Sequence, residues 1–247
     1  LGDVYKRQMK IIVILFFSML LALPTYGQNR ETDYLSHVLE KMNAVESVTY
    51  HCVKKAWEPG DKEPGYNVPR EIYEHVNPQD TAVGYSFLCA SDKEFRQPLW
   101  VYDGTVFAYI EKEEKEVRID DFTQKSPLPF RVIMPQAFGC MKSILEYALN
   151  TQDSIVLSLK DEGKDYLMEL SIHTPYQVEF FGKACYMPQN PYIYDPTSIY
   201  KIWISKENDM PYRYRREMQH SISEDICSDF VYNPCLLYTS PSPRDTR

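Results

Sequence analysis

The chain has 247 residues, of which 44% are hydrophobic and 25% charged, an ordinary composition for a folded globular protein. Its formal net charge is −8 and its one basic cluster is Arg213, Arg215 and Arg216, so nucleic-acid binding, which needs a basic patch against the phosphates, is not expected. Aromatic residues make up 14% of the chain, and 20 of them are tyrosines. This content favours half-buried β-sheet surface over a helical bundle.

Both ends of the chain look unlike the sequence between them. Residues 1–8 and 235–247 resemble translated adapter sequence from library preparation, and such segments are excluded from reasoning about the fold. We therefore expect the coding sequence to begin at Met9 and its natural part to stop near Pro234. A natural tail rich in Ser, Pro and Arg is the alternative for the C-terminal segment.

Residues 9–27 have the layout of an export signal. Lys10 precedes an apolar run at 11–23, and the small residues Thr25 and Gly27 precede the expected cleavage point. The run is shorter than the ~20 residues that span a bilayer comfortably, although an uncleaved anchor is the alternative. No cysteine lies near the expected cleavage point, so a lipoprotein attachment site is not expected. The mature chain is expected in the periplasm or cell envelope.

The first elements of the mature chain are a helix and a strand. Apolar residues recur with helical spacing through 31–45, which predicts an amphipathic helix with one apolar stripe. Residues 47–57 are rich in β-branched and aromatic side chains and predict a strand, and 58–68 carry two Pro-Gly steps and predict a loop. Further strand-length runs follow, and Asp103-Gly104 between two of them predicts a hairpin turn.

The second half repeats this pattern after an irregular crossing. Val117 and Ile119 are expected to face inward from a charged edge strand, and the proline-rich segment 123–140 predicts irregular structure. A short second helix is predicted at 141–150, and about six strand-like runs follow it. The loop 183–196, with three Pro and three Tyr, is expected to cover an edge or an opening.

Together these elements predict an α+β domain over residues 28–234. About ten antiparallel strands, joined mostly in sequence order, form a curved half-barrel sheet wrapped on the N-terminal helix, with a short second helix. A sheet that curls around a helix leaves room for an apolar pocket between them.

The chemistry-bearing residues show no catalytic or metal-binding arrangement. There is no C-x-x-C pair among the cysteines, and Cys52 and Cys89 in strand-like runs are expected to be small buried side chains. No two histidines have metal-ligand spacing, so no metal or cofactor is expected. Carboxylates that lack any acid–base or nucleophile motif are Asp120, Asp121, Glu162, Glu169 and Glu179.

The order of the motifs resembles the LolA-like half-barrel family. The resemblance covers nearly all of 31–234 and rests on a Tyr-Asp-Gly turn and on a strand, a polar turn and a Pro-led strand near the end of the chain. These motifs are Tyr102, Asp103 and Gly104, then Ile202, Trp203, Ile204, Ser205, Lys206, Met210, Pro211, Tyr212 and Arg213.

More closely, the chain looks like the N-terminal region of exported TlpA-like thiol-disulfide oxidoreductases. In those proteins a thioredoxin domain bearing C-x-x-C follows the half-barrel, and here it would begin shortly after Pro234. The resemblance implies redox homeostasis for the parent protein, but no catalytic residue is carried over because the residues present contain no C-x-x-C.

Two functions follow from the resemblance. The first is a non-catalytic envelope domain that binds an apolar client segment or a lipid and is covalently linked to a thioredoxin domain. The alternative is a stand-alone periplasmic carrier of lipoproteins or lipids of the LolA type. For either function, the predicted ligand-binding aromatic residues are Trp100, Tyr102, Phe107, Tyr192 and Trp203.

Trp203 carries a stability prediction as well. It alternates with Ile202 and Ile204, so its strand is expected to be apolar on both faces and deeply placed. Removal of a buried aromatic ring of this size costs about 3–5 kcal/mol.

Overall fold

The structure is a computed structural model that describes residues 24–111, 115–124, 136–187, 197–218 and 221–234. Helix α1 spans Pro24–Asn43 and helix α2 spans Ala137–Asn150. Both begin before the predicted helices, because the apolar spacing marks the buried stripe of a helix and says little about its first turn. The expectation of irregular structure is therefore wrong for residues 137–140, which form the first turn of α2.

Thirteen strands are present in the described residues, and eleven of them form one antiparallel sheet in the order β6-β5-β4-β3-β2-β1-β13-β12-β11-β8-β7. The short strands β9 and β10 form a separate hairpin. The strands are β1 (Ser47–Trp57), β2 (Tyr66–Val76), β3 (Tyr85–Ala90), β4 (Pro98–Tyr102), β5 (Val106–Glu111), β6 (Glu116–Asp121), β7 (Ser154–Asp161), β8 (Asp165–His173), β9 (Val178–Phe180), β10 (Ala184–Tyr186), β11 (Thr197–Ser205), β12 (Met210–Met218) and β13 (Ser221–Tyr232).

The predicted fold class is confirmed. The sheet is curved and not closed, and both helices pack on one of its faces to give an α+β half-barrel. The first strand β1 lies in the middle of the sheet because it pairs with the last strand, β13, as well as with β2. β13 carries one extra residue opposite the stretch from Thr49 to His51, a bulge at which Asp229 adopts the left-handed region at φ +56°.

Alternation along each strand divides the sheet into a concave face, which packs on the helices, and a convex face. In β11 the side chains of Tyr200, Ile202 and Ile204 are buried on the concave face, and the residues between them lie on the convex face. The expectation that Val117 and Ile119 face inward is wrong: they are 57% and 66% exposed. They alternate with charged residues on an edge strand, and the register puts those charged residues on the concave side.

The apolar stripe of α1 is confirmed, since Leu35, Val38 and Met42 are fully buried. Asp209 in the turn between β11 and β12 holds this helix in place. Its carboxylate accepts hydrogen bonds from the Lys41 ammonium at 2.8 Å and from the Tyr34 hydroxyl at 3.1 Å.

The first turn of α2 is held by a buried carboxylate. Glu74 on β2 accepts the backbone N–H groups of Phe138 and Gly139, each at 3.0 Å, and the hydroxyl of Tyr50 at 2.5 Å. The first N–H groups of a helix have no partner inside the helix and carry partial positive charge, so a carboxylate satisfies both needs. Glycine at 139 permits this approach, because a Cβ there would lie 2.9 Å from Glu74 Oε2.

Candidate binding site

A cavity of about 290 Å³ lies between the concave face of the sheet and α2. We call it the α2 cavity. Its apolar wall includes Ile144 of α2, Phe180 of β9 and Tyr200 of β11, and its charged lining comes from Lys54, Glu179 and Arg216. An apolar wall with a few convergent polar groups is the usual make-up of a small-molecule site, and ligand sites measure roughly 300–1,000 Å³.

Interlocking aromatic contacts fix the wall that β9 contributes. Tyr200 is buried and its hydroxyl donates a hydrogen bond of 2.8 Å to the carbonyl oxygen of Val178. The ring of Phe180 stands edge-on to Tyr200, with 5.0 Å between centroids, and edge-on to Tyr147 of α2, with 5.4 Å. The β9–β10 hairpin is therefore anchored to both the sheet and the helix.

Two ion pairs border the cavity. Arg216 lies 3.2 Å from Glu179, and Lys54 lies 3.7 Å from the buried carboxylate of Asp225. Burial is the largest single influence and lowers the pKa of Arg216, but Glu179 together with the nearby Tyr200, Tyr214 and Cys140 reverses it, so the pKa is raised. Arg216 Nε is buried and has no hydrogen-bond partner in the described part of the chain. The site thus presents fixed charges beside an apolar wall.

The cysteines offer no reactive thiol at this site. Cys52 and Cys89 are buried, as the sequence predicted, and Cys140 beside the cavity is buried as well. Burial raises the pKa of Cys89 to about 12, and it raises the pKa of Cys140 beyond the usual thiol range. These thiols stay protonated near neutral pH, which makes them poor nucleophiles.

Three of the predicted ligand-binding residues lie together on the concave face, but outside the α2 cavity. Trp100, Tyr102 and Phe107 are buried on the neighbouring strands β4 and β5. The Tyr102 hydroxyl donates to Asp80 at 2.9 Å, which gives this residue a structural role. Ligand contact by these three residues stays a prediction, and Tyr192 lies outside the described residues.

Trp203 is on the convex face, so the expectation that it is deeply placed is wrong. Its ring is half-buried under the guanidinium of Arg213, with 4.0 Å between the guanidinium carbon and the ring centroid. Its indole N–H donates to Glu162 at 3.1 Å. Trp203 lies between two isoleucines in the sequence but faces the convex side. A long cationic side chain covers its ring there, which is a common way to shelter an exposed ring.

Replacing Trp203 by alanine is accordingly expected to lower the free energy of unfolding by about 1–2 kcal/mol, less than the cost for a fully buried ring. The neighbouring Ile202, fully buried on the concave face, is the control, and Ile202→Ala is expected to cost more. Denaturant titrations of both variants provide the comparison. An equal or larger loss for the tryptophan would contradict the convex placement.

Several cavity residues were not singled out by the sequence. The sequence marks Glu179 only as one of several carboxylates. It gives no motif or spacing that distinguishes Lys54 or Tyr200 as binding residues. Arg216 was grouped with Arg213 and Arg215, but the register puts it on the concave face and the other two on the convex face. Arg216 lies two positions after Tyr214 on the same strand, so the two side chains share the concave face. This period of two is the sequence signal that separates Arg216 from Arg213 and Arg215.

A second hollow of about 340 Å³ lies at the turns between β7 and β8 and between β11 and β12. The turn residues Lys164, Glu207 and Asn208 line part of it, and strands β12 and β13 supply much of the rest. Asp165, another lining residue, already accepts the hydroxyl of Tyr212 at 2.8 Å. The lining of the α2 cavity is the more apolar of the two, which makes that cavity the better candidate for an apolar ligand.

Comparison with known proteins gives structural similarities only. The chain is similar to the lipoprotein LppX of Mycobacterium tuberculosis, with a TM-score of 0.42 and 8% identity over 82% of this chain and 95% of that one. LprF of Mycobacterium bovis gives 0.41 and 8% over 82% and 93%, and a LolA superfamily protein of Nitrosomonas europaea gives 0.31 and 10% over 79% and 92%. No family model and no curated protein matches the sequence. At these TM-scores and identities the similarity carries no inference about function.

Two further properties concern the described residues alone. Neither helix there has the length and apolar character that a membrane crossing requires. Within the same ranges, no three histidine, cysteine, aspartate or glutamate side chains gather closely enough to hold a metal ion.

Proposed function

We propose that this domain is a non-catalytic carrier in the cell envelope that binds an apolar chain, such as the acyl chain of a lipid or lipoprotein, in the α2 cavity. The observation that carries the proposal is the cavity itself, walled by Ile144, Phe180 and Tyr200 and bordered by ion pairs. Buried, protonated thiols and the lack of an acid–base arrangement among the described residues favour binding over catalysis.

The envelope location follows from the export signal predicted at 9–27, which lies mostly outside the described residues. A carrier for apolar chains is useful where lipids or lipoproteins cross an aqueous compartment, because exposed acyl chains are costly in water. The predicted signal and the cavity therefore support one another.

Linkage to a thioredoxin domain after Pro234 is a second hypothesis, and it rests on the motif resemblance alone. In that arrangement the half-barrel would present an apolar client segment to the redox domain. Sequencing of the gene beyond the codon for Pro234 tests it, and a stop codon with no thioredoxin sequence before it would remove the hypothesis.

Filling the α2 cavity is expected to weaken acyl binding about tenfold or more. Ala56 lines the cavity from the concave face of β1, so Ala56→Phe places a ring inside it. The matched control is Lys55→Phe, because the adjacent strand residue points to the convex face. Binding is measured by fluorescence titration with the methyl ester of cis-parinaric acid, an uncharged acyl probe.

The two variants make the test specific. Binding that is lost in Ala56→Phe and kept in Lys55→Phe supports the proposed site. Equal binding by both variants and the unchanged protein would place the acyl chain elsewhere, and no binding by the unchanged protein would remove the proposed function itself.

A further inference from the structure

A buried arginine, for which the described residues supply no acidic partner, lies on the concave face close to the α2 cavity. Arg70 of β2 is only 8% exposed, and its Nε has no hydrogen-bond partner in the described residues. The guanidinium carbon lies 4.1 Å from the ring centroid of Trp100 and 5.5 Å from that of Tyr66. The indole N–H of Trp100 is also buried without a partner there. Two stacked side chains thus each have a buried N–H donor without a partner among the described residues.

Arg213, which is also stacked on a tryptophan ring, has the acidic partner that the described residues do not give to Arg70. Arg213 on the convex face is also stacked on a tryptophan, at 4.0 Å, but its guanidinium donates two hydrogen bonds of 2.9 and 2.6 Å to Glu224. Arg70 is the more buried of the two and has the aromatic stacking without the carboxylate. A ring face attracts the charge but accepts none of the in-plane N–H donors, and the buried Nε of Arg70 is left without a partner among the described residues.

The surrounding charges do not offset Arg70. Asp225 is a carboxylate whose field reaches Arg70, but it is already paired with Lys54 at 3.7 Å. Burial also holds the neighbouring Cys89 in its protonated, uncharged form, with a pKa of about 12. Arg70 and Lys54 together therefore exceed the negative charge of Asp225 by one unit, and buried charges without partners are costly.

The position of Arg70 connects this surplus charge with the α2 cavity. The register pairs Arg70 with Cys52 and pairs Lys54 with Val68, so Arg70 and Lys54 are diagonal neighbours on the concave face. Diagonal neighbours of an antiparallel pair lie roughly 7–8 Å apart, a distance that a few carbon atoms span. Lys54 lines the cavity, so Arg70 lies one diagonal step from the cavity edge.

Resting on the proposed function, we propose that Arg70 receives the anionic head group of an amphipathic ligand whose apolar chain lies in the α2 cavity. A carboxylate or phosphate oxygen accepts the open N–H donors of Arg70 and supplies the missing negative charge. The aromatic rings of Tyr66 and Trp100 hold the guanidinium in place for that contact. The preferred ligand is then an anionic single-chain amphiphile rather than a neutral one.

The test compares cis-parinaric acid with its methyl ester, which have the same chain and differ in charge. The unchanged protein, stripped of lipid, is expected to bind the acid about tenfold more tightly than the ester, as a charge-assisted hydrogen bond would give. Arg70→Met keeps the stem of the side chain and removes the cation. It is expected to reduce acid binding to the level of the ester and to leave ester binding unchanged.

The matched control is Arg213→Met, which removes a stacked arginine from the convex face and is expected to preserve the preference for the acid. A second measurement separates a ligand role from a structural one. Because Arg70 is an uncompensated buried charge, the ligand-free Arg70→Met protein is expected to unfold at an equal or higher denaturant concentration than the unchanged protein.

Equal binding of acid and ester by the unchanged protein would overturn this inference even if Arg70→Met failed to fold. So would a preference for the acid that survives Arg70→Met. In both cases the proposed function stands, provided that the ester binds and that Ala56→Phe abolishes its binding. Displacement of the acid by equimolar acetate or inorganic phosphate would also overturn the inference, because it would mean a site for small anions.

Discussion

Replacing Glu74 by alanine is expected to lower the free energy of unfolding by about 3–5 kcal/mol, the sum of several unsatisfied buried donors at about 1–3 kcal/mol each. Glu74 is 1% exposed and accepts hydrogen bonds from Tyr50, Phe138 and Gly139. Alanine leaves all three donors buried, and no other acceptor in the described chain contacts the Gly139 N–H. The first turn of α2 is the part of the molecule that this loss affects directly.

Equilibrium unfolding in denaturant measures the effect, and Glu71→Ala is the control on the same strand. Glu71 is an acidic residue on the convex face whose carboxylate contacts His51 at 2.8 Å. Loss of that partly buried pair is expected to cost about 1 kcal/mol. If the two alanine variants lost the same stability, the anchoring role of Glu74 would be wrong.

The second large effect is a dependence of stability on pH. Burial raises the pKa of Glu74 from 4.5 to about 7, although the bonds from Tyr50 and the helix N–H groups oppose this shift. The nearby carboxylate of Asp225 adds to the increase. Between pH 4.5 and about 7 the folded chain therefore holds a proton that the unfolded chain has released.

This extra proton determines the direction in which the free energy of unfolding changes with pH. The stability that this bound proton adds is complete below pH 4.5, falls as the pH rises, and is lost above about pH 7. A shift of this size corresponds to about 3 kcal/mol. Carboxylates with lowered pKa values, such as Asp209 and Asp153, act in the opposite direction and below this window.

Glu74→Gln isolates the contribution because it removes only this titration. Unfolding free energies measured from pH 4 to pH 8 are expected to decline by about 3 kcal/mol more in the unchanged protein than in the glutamine variant. Parallel pH profiles for the two proteins would mean that Glu74 is ionised in the folded chain throughout this range. The same comparison of acyl binding shows whether α2 must be anchored for the cavity to form, since Cys140 and Ile144 extend from that helix into its wall.

Local rules of the chain predicted much of the scaffold. The turn at Asp103-Gly104 formed as expected, because Asp103 accepts the backbone N–H groups of Thr105 and Val106 and Gly104 adopts φ +106°. The apolar stripe of α1 and the succession of antiparallel strands also followed from spacing alone. These features depend on neighbours within a few residues, which is the range over which sequence patterns carry information.

The face that each strand residue occupies was decided by the tertiary structure. Trp203 and Ile202 are adjacent and both apolar, yet only the register with β8 and β12 puts the isoleucine inside. In the same way, a run of three arginines within four positions divides between the two faces. A single residue of register shift exchanges the faces of a whole strand, so composition cannot determine it.

The sequence by itself determined an antiparallel α+β half-barrel with an amphipathic helix and without a catalytic motif, because these depend on periodicity and on local turns. Only the tertiary structure decided that Glu74 lies under α2, that Arg216 and Lys54 border a cavity, and that no acidic side chain of the described ranges pairs with Arg70. Each of these depends on side chains brought together from distant strands. Burial then sets the strength of their electrostatic interactions, and burial is a property of the assembled sheet and helices.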